Sequence, residues 1–392
     1  MTKCIYIATG ANLPDQNASA LRVSSIISAL SLYGYSFTVI GQCKADENTD
    51  YVINDNYKVR STYNVLKQHS FWQKVKTFLF PTKMVFKQIN EIIKNEKIDY
   101  LFIYQIAPIR LMKKIINLCE KNNIALVFDI VEYQNLSQQR NLIGYWFNYR
   151  PAKRIITHFT KYGKVISISS YLKTFFENRS VPSIFVPFFF DVKKISNNSY
   201  SKGEHIRIVY AGAPFGSRDT IINAVRSLLL LSKEEADSFR FVFAGVTREQ
   251  MKELGLKEEE LIKTDCWCSY LGRISHDDVL KLYSQSDYSL LLKPVNKRLS
   301  KAGFPTKVSE SWALSTPVIA NLTGDMDKYM VDGFNGIVSL TDSPADFANA
   351  LKKALSFSEE EYLNMRNNSR KTAENQLDIT VFAELIKKFV EK

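Results

Sequence analysis

The chain is short of several things, and each shortage excludes something. Its five cysteines stand at positions 4, 43, 119, 266 and 268, an odd number without regular spacing. That pattern argues against a disulfide framework, and Cys266-Trp-Cys268 has neither the spacing nor the second half of a zinc knuckle. Five reduced, structural cysteines and no metal are expected. Histidine is scarce, four in 392 residues. His69, His158, His205 and His276 have no partner at ligand spacing and read as surface residues. Long apolar runs are missing too. The densest, Ser183 to Phe190, is eight residues broken by Pro187, against roughly 20 needed to span a bilayer. The opening MTKCIYIATGANLP is too short an apolar run for a secretory leader and reads as a first strand. A cytoplasmic compartment follows. Low-complexity tracts are absent.

Acidic residues are also scarce, but only in the first half. The net charge is +12. Residues 1–200 hold 26 Lys and Arg against 13 Asp and Glu, giving +13, whereas residues 201–392 hold 26 against 27, giving −1. Two stretches carry the excess: Lys58 to Lys97, with nine basic residues against two Glu, and Arg140 to Arg179, with eight against one, interleaved with aromatics. Such a face suits an anionic membrane surface, where each cation contributes about 1 kcal/mol. A nucleic acid partner is not expected, because no recognition motif accompanies the charge.

A length of 392 residues with 45% hydrophobic and 23% charged residues fits two globular domains. Short apolar strands alternate with helical patterns in the first half: Cys4–Ala8, Phe37–Ile40, Tyr100–Tyr104, Ala125–Asp129 and Val165–Ile168, with helices over 18–33 and 111–121. A polar stretch ending at Gly203 follows, and the charge changes sign there. The same grammar restarts with Ile206–Tyr210, Phe239–Ala244, Ser269–Leu271, Tyr288–Leu292 and Pro317–Ala320. This predicts an α/β protein of two doubly wound parallel-sheet domains, with ligand sites at strand C-terminal ends facing an interdomain cleft. The expected boundaries are 1–190, a linker over 191–203, a second domain over 204–372, and a C-terminal helix over 373–392 packing back on the first domain.

The segment from Gly303 to Gly336 is the most informative. Pro305 and Thr306 open a helix expected over 307–314, with Thr306 as its cap, and leave backbone N–H groups facing outward as an anion site. Lys307 adds a positive charge. Glu310 lies one turn in on the face of Thr306, leaning back toward that end. A carboxylate beside a phosphate is repelled, so its natural partner is a hydroxyl pair. The set fits a sugar nucleotide, with diphosphate on the helix start and ribose on Glu310. It also fits an ordinary amphipathic helix packed through Val308, Trp312 and Leu314.

The neighbouring motifs favour the first reading. Tyr210-Ala-Gly-Ala213, Phe241-Val-Phe-Ala-Gly245, Tyr270-Leu-Gly-Arg-Ile274 with His276 to Asp287, the Pro305-Thr-Lys307…Glu310 helix and Asp332-Gly-Phe-Asn-Gly336 follow one another over about 130 residues. In this order and spacing the chain resembles the family-4 glycosyltransferases of the GT-B fold, the group that builds bacterial capsule, exopolysaccharide and lipopolysaccharide chains. The likeness is strong over the second half and looser over the first.

The resemblance implies two Rossmann-like domains and transfer of a sugar from a nucleoside diphosphate sugar, a co-substrate, with retention and without metal or cofactor. The acceptor is expected to be a saccharide or a polyprenyl-linked sugar, with the protein peripheral on the inner face of the cell membrane. Glu310 corresponds to the last acid of the family signature, whose earlier acid falls at Ala302. The stretch opened by Gly212 carries Arg218 as the basic residue expected on the diphosphate, beside Lys307, Pro305 and Thr306. Arg273 and Ile274 sit where the nucleobase usually packs. In the first domain Gly10, Ala11 and Asn12 resemble a loop against the sugar diphosphate. Arg22 reads either as facing the cleft or as a surface residue. Asp129 and Glu132 end a central strand where the transferred sugar is expected. Asn335-Gly336 reads as a structural tight turn. Two other readings remain open: a GT-B epimerase of sugar nucleotides, and an inactive binding subunit.

Overall fold

The computed structural model describes residues 1–14, 17–64, 81–105, 109–133, 153–195, 200, 203–212, 219–295 and 298–392. The chain divides into two compact units, Met1–Phe190 with Ile379–Lys392, and Asp191–Asp378.

The first unit is built on eight strands: β1 (Thr2–Asn12), β2 (Tyr35–Cys43), β3 (Asp50–Asn54), β4 (Tyr57–Asn64), β5 (Tyr100–Tyr104), β6 (Ala125–Ile130), β7 (Lys164–Ser167) and β8 (Ser183–Phe185). Their order is β3-β4-β2-β1-β5-β6-β7-β8. All pairs are parallel except β3 with β4. The central strands are apolar on both faces, as a sheet covered by helices on each side requires. Tyr6, Phe37 and Phe102 pack ring to ring in the core, with centroids 5.3 to 6.3 Å apart. Helix Ala18–Ser31 seats Ala20, Val23, Ile27 and Leu30 there. Helix Ile379–Glu391 adds Phe382, Ala383, Ile386 and Val390 to the same core. It is tied by the Ile379 N–H to the Phe190 carbonyl and by Tyr35 to Glu391.

The returning segment starts at Ile379 rather than 373, because helix Glu359–Gln376 belongs to the second unit. The break falls at Asp378, whose buried carboxylate accepts the N–H of Val192. Strands β3, β4 and β8 are additions to the sequence expectation. β3 alternates exposed and half-buried residues and offers no apolar run to read.

The second unit carries β9 (Ile206–Ala211), β10 (Phe239–Ala244), β11 (Cys268–Gly272), β12 (Tyr288–Leu291), β13 (Val318–Asn321) and β14 (Gly336–Ser339). The order is β11-β10-β9-β12-β13-β14, every pair parallel. Its core gathers Phe239, Phe241, Phe243, Phe347, Leu351 and Met365, with Phe243 stacked on Tyr270 at 5.4 Å.

Asn335-Gly336 is not a hairpin turn. Gly336 begins β14, and a Cβ there would meet the Val318 carbonyl oxygen at 2.5 Å, which is the reason for glycine. Asn335 is buried, accepts from the Val331 N–H and donates to the Tyr329 carbonyl and Thr372 hydroxyl. It clamps the turn from the inside.

All five cysteines are free, and four of them are buried. Burial pushes the Cys119 and Cys268 thiols up to about 12. Among the described residues no helix is long and apolar enough to cross a membrane.

Candidate functional site

In the second unit, polar groups collect where β9, β12 and β13 end. The parallel order β9-β12-β13 places their C-terminal ends side by side, the place where open α/β sheets bind ligands. Helix Thr306–Ala313 starts beside them. Its cap is Pro305, in extended backbone, which makes no side-chain cap hydrogen bond. The expectation that Thr306 is the cap is therefore shifted by one residue: Thr306 is already helical, and Pro305 holds the entry angle.

Lys307, in the first turn, reaches back over the end of β9. Its Nζ lies 2.5 Å from Asp219 Oδ2 and 3.9 Å from the centroid of the Tyr210 ring. Tyr210 donates its hydroxyl to the same Asp219 oxygen at 2.7 Å. Burial alone would raise the Asp219 carboxyl, but Lys307 and, next, Lys293 outweigh it and hold it below the usual carboxylate value. Burial and the neighbouring Asp219 charge push the Tyr210 hydroxyl up, so it stays protonated as a donor.

Gly212 has a specific reason to be glycine. Its φ is +152°, and a Cβ there would lie 2.7 Å from both Lys307 Cε and Nζ. The backbone gives way to the lysine. Arg218, the other basic residue expected here, lies outside the described residues.

Glu310, one turn along the helix, is buried, but its partner is a surprise. His276 Nε2 lies 2.8 Å from Glu310 Oε1, with the histidine side chain one-third exposed. His276 opens helix His276–Ser284, which Ser275 caps by accepting from the Asp278 N–H. The reading of His276 as a partnerless surface residue is corrected, since sequence spacing cannot show a pair 34 residues apart. Tyr283, fully buried, sits near the pair, and burial followed by Glu310 pushes its hydroxyl well up.

Arg273 is exposed, and Ile274 is half-buried against the small cluster of Val209, Ala211, Ala244, Tyr283 and Leu314. Ala302 is fully buried at the end of helix Arg298–Ala302. A carboxylate there would lie in a closed environment.

The first unit treats its expected residues differently. Gly10, Ala11 and Asn12 continue β1 with a register shift against β2 instead of forming a loop after it. Ala11 is wholly buried. Asp129 and Arg22, expected at a ligand or on the surface, are in the interior, 0% and 1% exposed. Arg22 Nη2 lies 3.1 Å from Asp129 Oδ1, and Tyr6 donates to Asp129 Oδ2 at 2.8 Å. Arg22 Nη1 donates to the carbonyls of Val186, at 3.0 Å, and Pro187. A buried guanidinium needs a carboxylate and further acceptors, and Asp129 and the two carbonyls supply them. The pair fastens the last strand's exit to the first helix and is corrected to a structural role.

Glu132 is half-buried. Its backbone N–H donates to Gln105 Oε1 at 3.1 Å, and its carbonyl accepts from Gln105 Nε2 at 2.8 Å. Gln105 itself has φ +56°. Part of the basic stretch is spent locally. Lys58 faces Asp50 and Glu96, and Arg60 faces Asp50 and Glu91.

Residues 193–372 match the family model described as glycosyl transferases group 1. No curated protein matches the chain in sequence. Sucrose-phosphate synthase from Thermosynechococcus elongatus superposes with a TM-score of 0.72 at 12% identity, over 99% of this chain and 98% of that one. HepE of Anabaena, in complex with UDP and glucose, gives 0.67 at 12% identity over the full length of both chains. WaaG, described as a glycosyltransferase involved in lipopolysaccharide biosynthesis, gives 0.64 at 14% over 99% of each. At such identities the likeness shows the fold alone, and that fold is GT-B.

Proposed function

We propose, from the premise that residues 193–372 are a group 1 glycosyltransferase domain on a GT-B chain, that the protein moves a sugar from a nucleoside diphosphate sugar to a saccharide or lipid-linked acceptor with retention of configuration. One observation carries the reading: a helix that starts at the sheet's C-terminal edge presents Lys307 at its first turn and Glu310 one turn in. The diphosphate lies on the helix start and Lys307, where the ammonium and backbone N–H groups stabilise the charge that develops as the leaving group departs. Glu310 takes the ribose hydroxyls, and His276, holding one carboxylate oxygen, fixes its orientation. Pro305 and Thr306 shape the turn under the phosphates, and Ile274 and the backbone at Arg273 lie toward the base. Side-chain cations supply the charge, and no cofactor takes part.

The first unit serves the acceptor, and Glu132, just past the end of β6, is its candidate acid. The basic excess of the first 200 residues favours the cytoplasmic face of an anionic membrane, and sedimentation with phosphatidylglycerol vesicles but not neutral ones is the expected result. HepE is in complex with UDP and glucose, which makes UDP-sugars the first donors to try. Incubation with UDP-, GDP- and ADP-sugars separates the readings. Slow release of nucleoside diphosphate without acceptor supports the transferase, an epimerised nucleotide sugar overturns it, and binding without any turnover shows an inactive subunit.

A further inference from the structure

A carboxylate is a poor neighbour for a phosphate, and Asp219 holds the cation that the donor reading gives to the diphosphate. The contact is direct: Lys307 Nζ lies 2.5 Å from Asp219 Oδ2. Tyr210 donates its hydroxyl to the same oxygen at 2.7 Å. Two donors, one of them charged, converge on one oxygen of an anion. A non-bridging phosphate oxygen would take the same donor set.

The backbone is shaped to permit this contact. At Gly212, with φ +152°, a Cβ would meet Lys307 Cε and Nζ at 2.7 Å. The lysine stem therefore lies across the end of β9, its ammonium 3.9 Å from the centroid of the Tyr210 ring. On the other side the Thr220 N–H donates to the Leu292 carbonyl at 2.9 Å, which pins the residue after Asp219 to the chain just beyond β12. The carboxylate has a short stem on a fixed backbone, and the ammonium has a long flexible one. Of the two, Lys307 is the partner that can move.

With side chains 10% and 19% exposed, the pair is largely shielded from salt. A phosphate that takes Lys307 either draws it from Asp219 or stands beside an anion that cannot retreat. In both cases part of the gain from the new contact is lost.

We infer that Asp219 is a resident stand-in for the donor's phosphate, which lowers the affinity of every ligand that uses Lys307 and so admits those anchored elsewhere as well. This rests on the donor reading above, in which Glu310 supplies the second anchor. A small anion has no such anchor and leaves the ion pair closed. When the diphosphate departs, Asp219 takes Lys307 back.

The test is calorimetry of the full chain with UDP, GDP, ADP and CDP, with inorganic pyrophosphate measured as a competitor of whichever nucleotide binds. Asp219→Asn keeps the shape of the side chain and removes its charge. It should bind the diphosphate about tenfold more tightly, the change expected if the ion pair occupies Lys307 about nine-tenths of the time. Pyrophosphate, which has the charge but no ribose, should gain by a similar factor. Asp219→Ser also lacks the charge, should show the same gain, and guards against a packing defect peculiar to asparagine. The urea midpoint should move the opposite way, since both variants lose the ion pair. A residue that only held Lys307 in place would lower affinity and stability together. Unchanged or weaker diphosphate binding by both variants, with a wild type that binds, overturns this inference alone. A gain for the nucleotide without one for pyrophosphate overturns it as well, because the effect would then arise at the nucleoside end. If neither the wild type nor the variants bind any of the four diphosphates, the donor reading falls and the inference with it.

Discussion

Each unit builds the same three-residue device, and the two copies differ in one respect. In the first unit Tyr6 of β1 donates to Asp129, which pairs with Arg22. In the second, Tyr210 of β9 donates to Asp219, which pairs with Lys307. The first copy is sealed: both charged side chains are at most 1% exposed, and Arg22 uses further donors on two backbone carbonyls. The second is ajar, with the Lys307 side chain 19% and the Asp219 side chain 10% exposed. An Arg with its fork spent on fixed acceptors is a fastener. A Lys on a flexible stem, held by one carboxylate at the mouth of a sheet, can exchange that partner for a ligand. The same constellation is therefore structural in one unit and a binding candidate in the other, and burial makes the difference.

The sharpest way to break the comparison is Arg22→Ala. Leaving Asp129 buried without its partner should cost about 3–5 kcal/mol, read as a lowered midpoint in urea, and a wild-type midpoint would show that the first copy is not a fastener. Next comes Glu310→Ala, which should weaken binding of the donor nucleotide by about 1.5–3 kcal/mol with the urea midpoint nearly unchanged. Unaltered affinity in calorimetry would remove the ribose assignment.

Gly212→Ala sharpens the second copy. The new methyl meets the end of the Lys307 side chain, which can swing aside, so the stability cost is of order 1 kcal/mol from the backbone alone. Nucleoside diphosphate affinity should fall severalfold because Lys307 is displaced. A loss of stability without loss of affinity would mean that Lys307 is a fastener like Arg22.

The smallest effect is on pH dependence. Asp219 is held below its unfolded value, so its contribution is present above the usual carboxylate range and is lost as pH falls through the folded value. Asp219→Asn should therefore flatten the acid limb of a stability–pH profile, and the two proteins should converge at low pH.

Much of this was legible in the sequence because local rules fixed it. Buried runs such as Tyr100–Tyr104 and Phe239–Ala244 have nothing to be but covered strands. Lys307 and Glu310 are three apart on one helix, so their relation survives without any knowledge of the fold. The hairpin strands β3 and β4 escaped because β3 is half-exposed and β4 interleaves Lys58 and Arg60 with its buried residues. His276, Asp219 and Tyr210 escaped as site residues for a different reason: His276 meets Glu310 34 residues away, Asp219 meets Lys307 88 residues away, and Tyr210 meets Asp219 nine residues on, beyond the end of β9. Nothing in the spacing of Asp129 told it apart from Asp219.

The sequence by itself determined two parallel α/β units, the break between them near residue 190, the excess of basic charge in the first, and the lysine and glutamate of one helix. These follow from periodicity, composition and intervals of a single turn. Only the tertiary structure decided which aspartate is sealed and which is open, that Glu310 is held by a histidine, and that Gly212 is glycine to make room for Lys307. Those outcomes depend on which distant side chains burial brings together, and burial is a property of the packed chain.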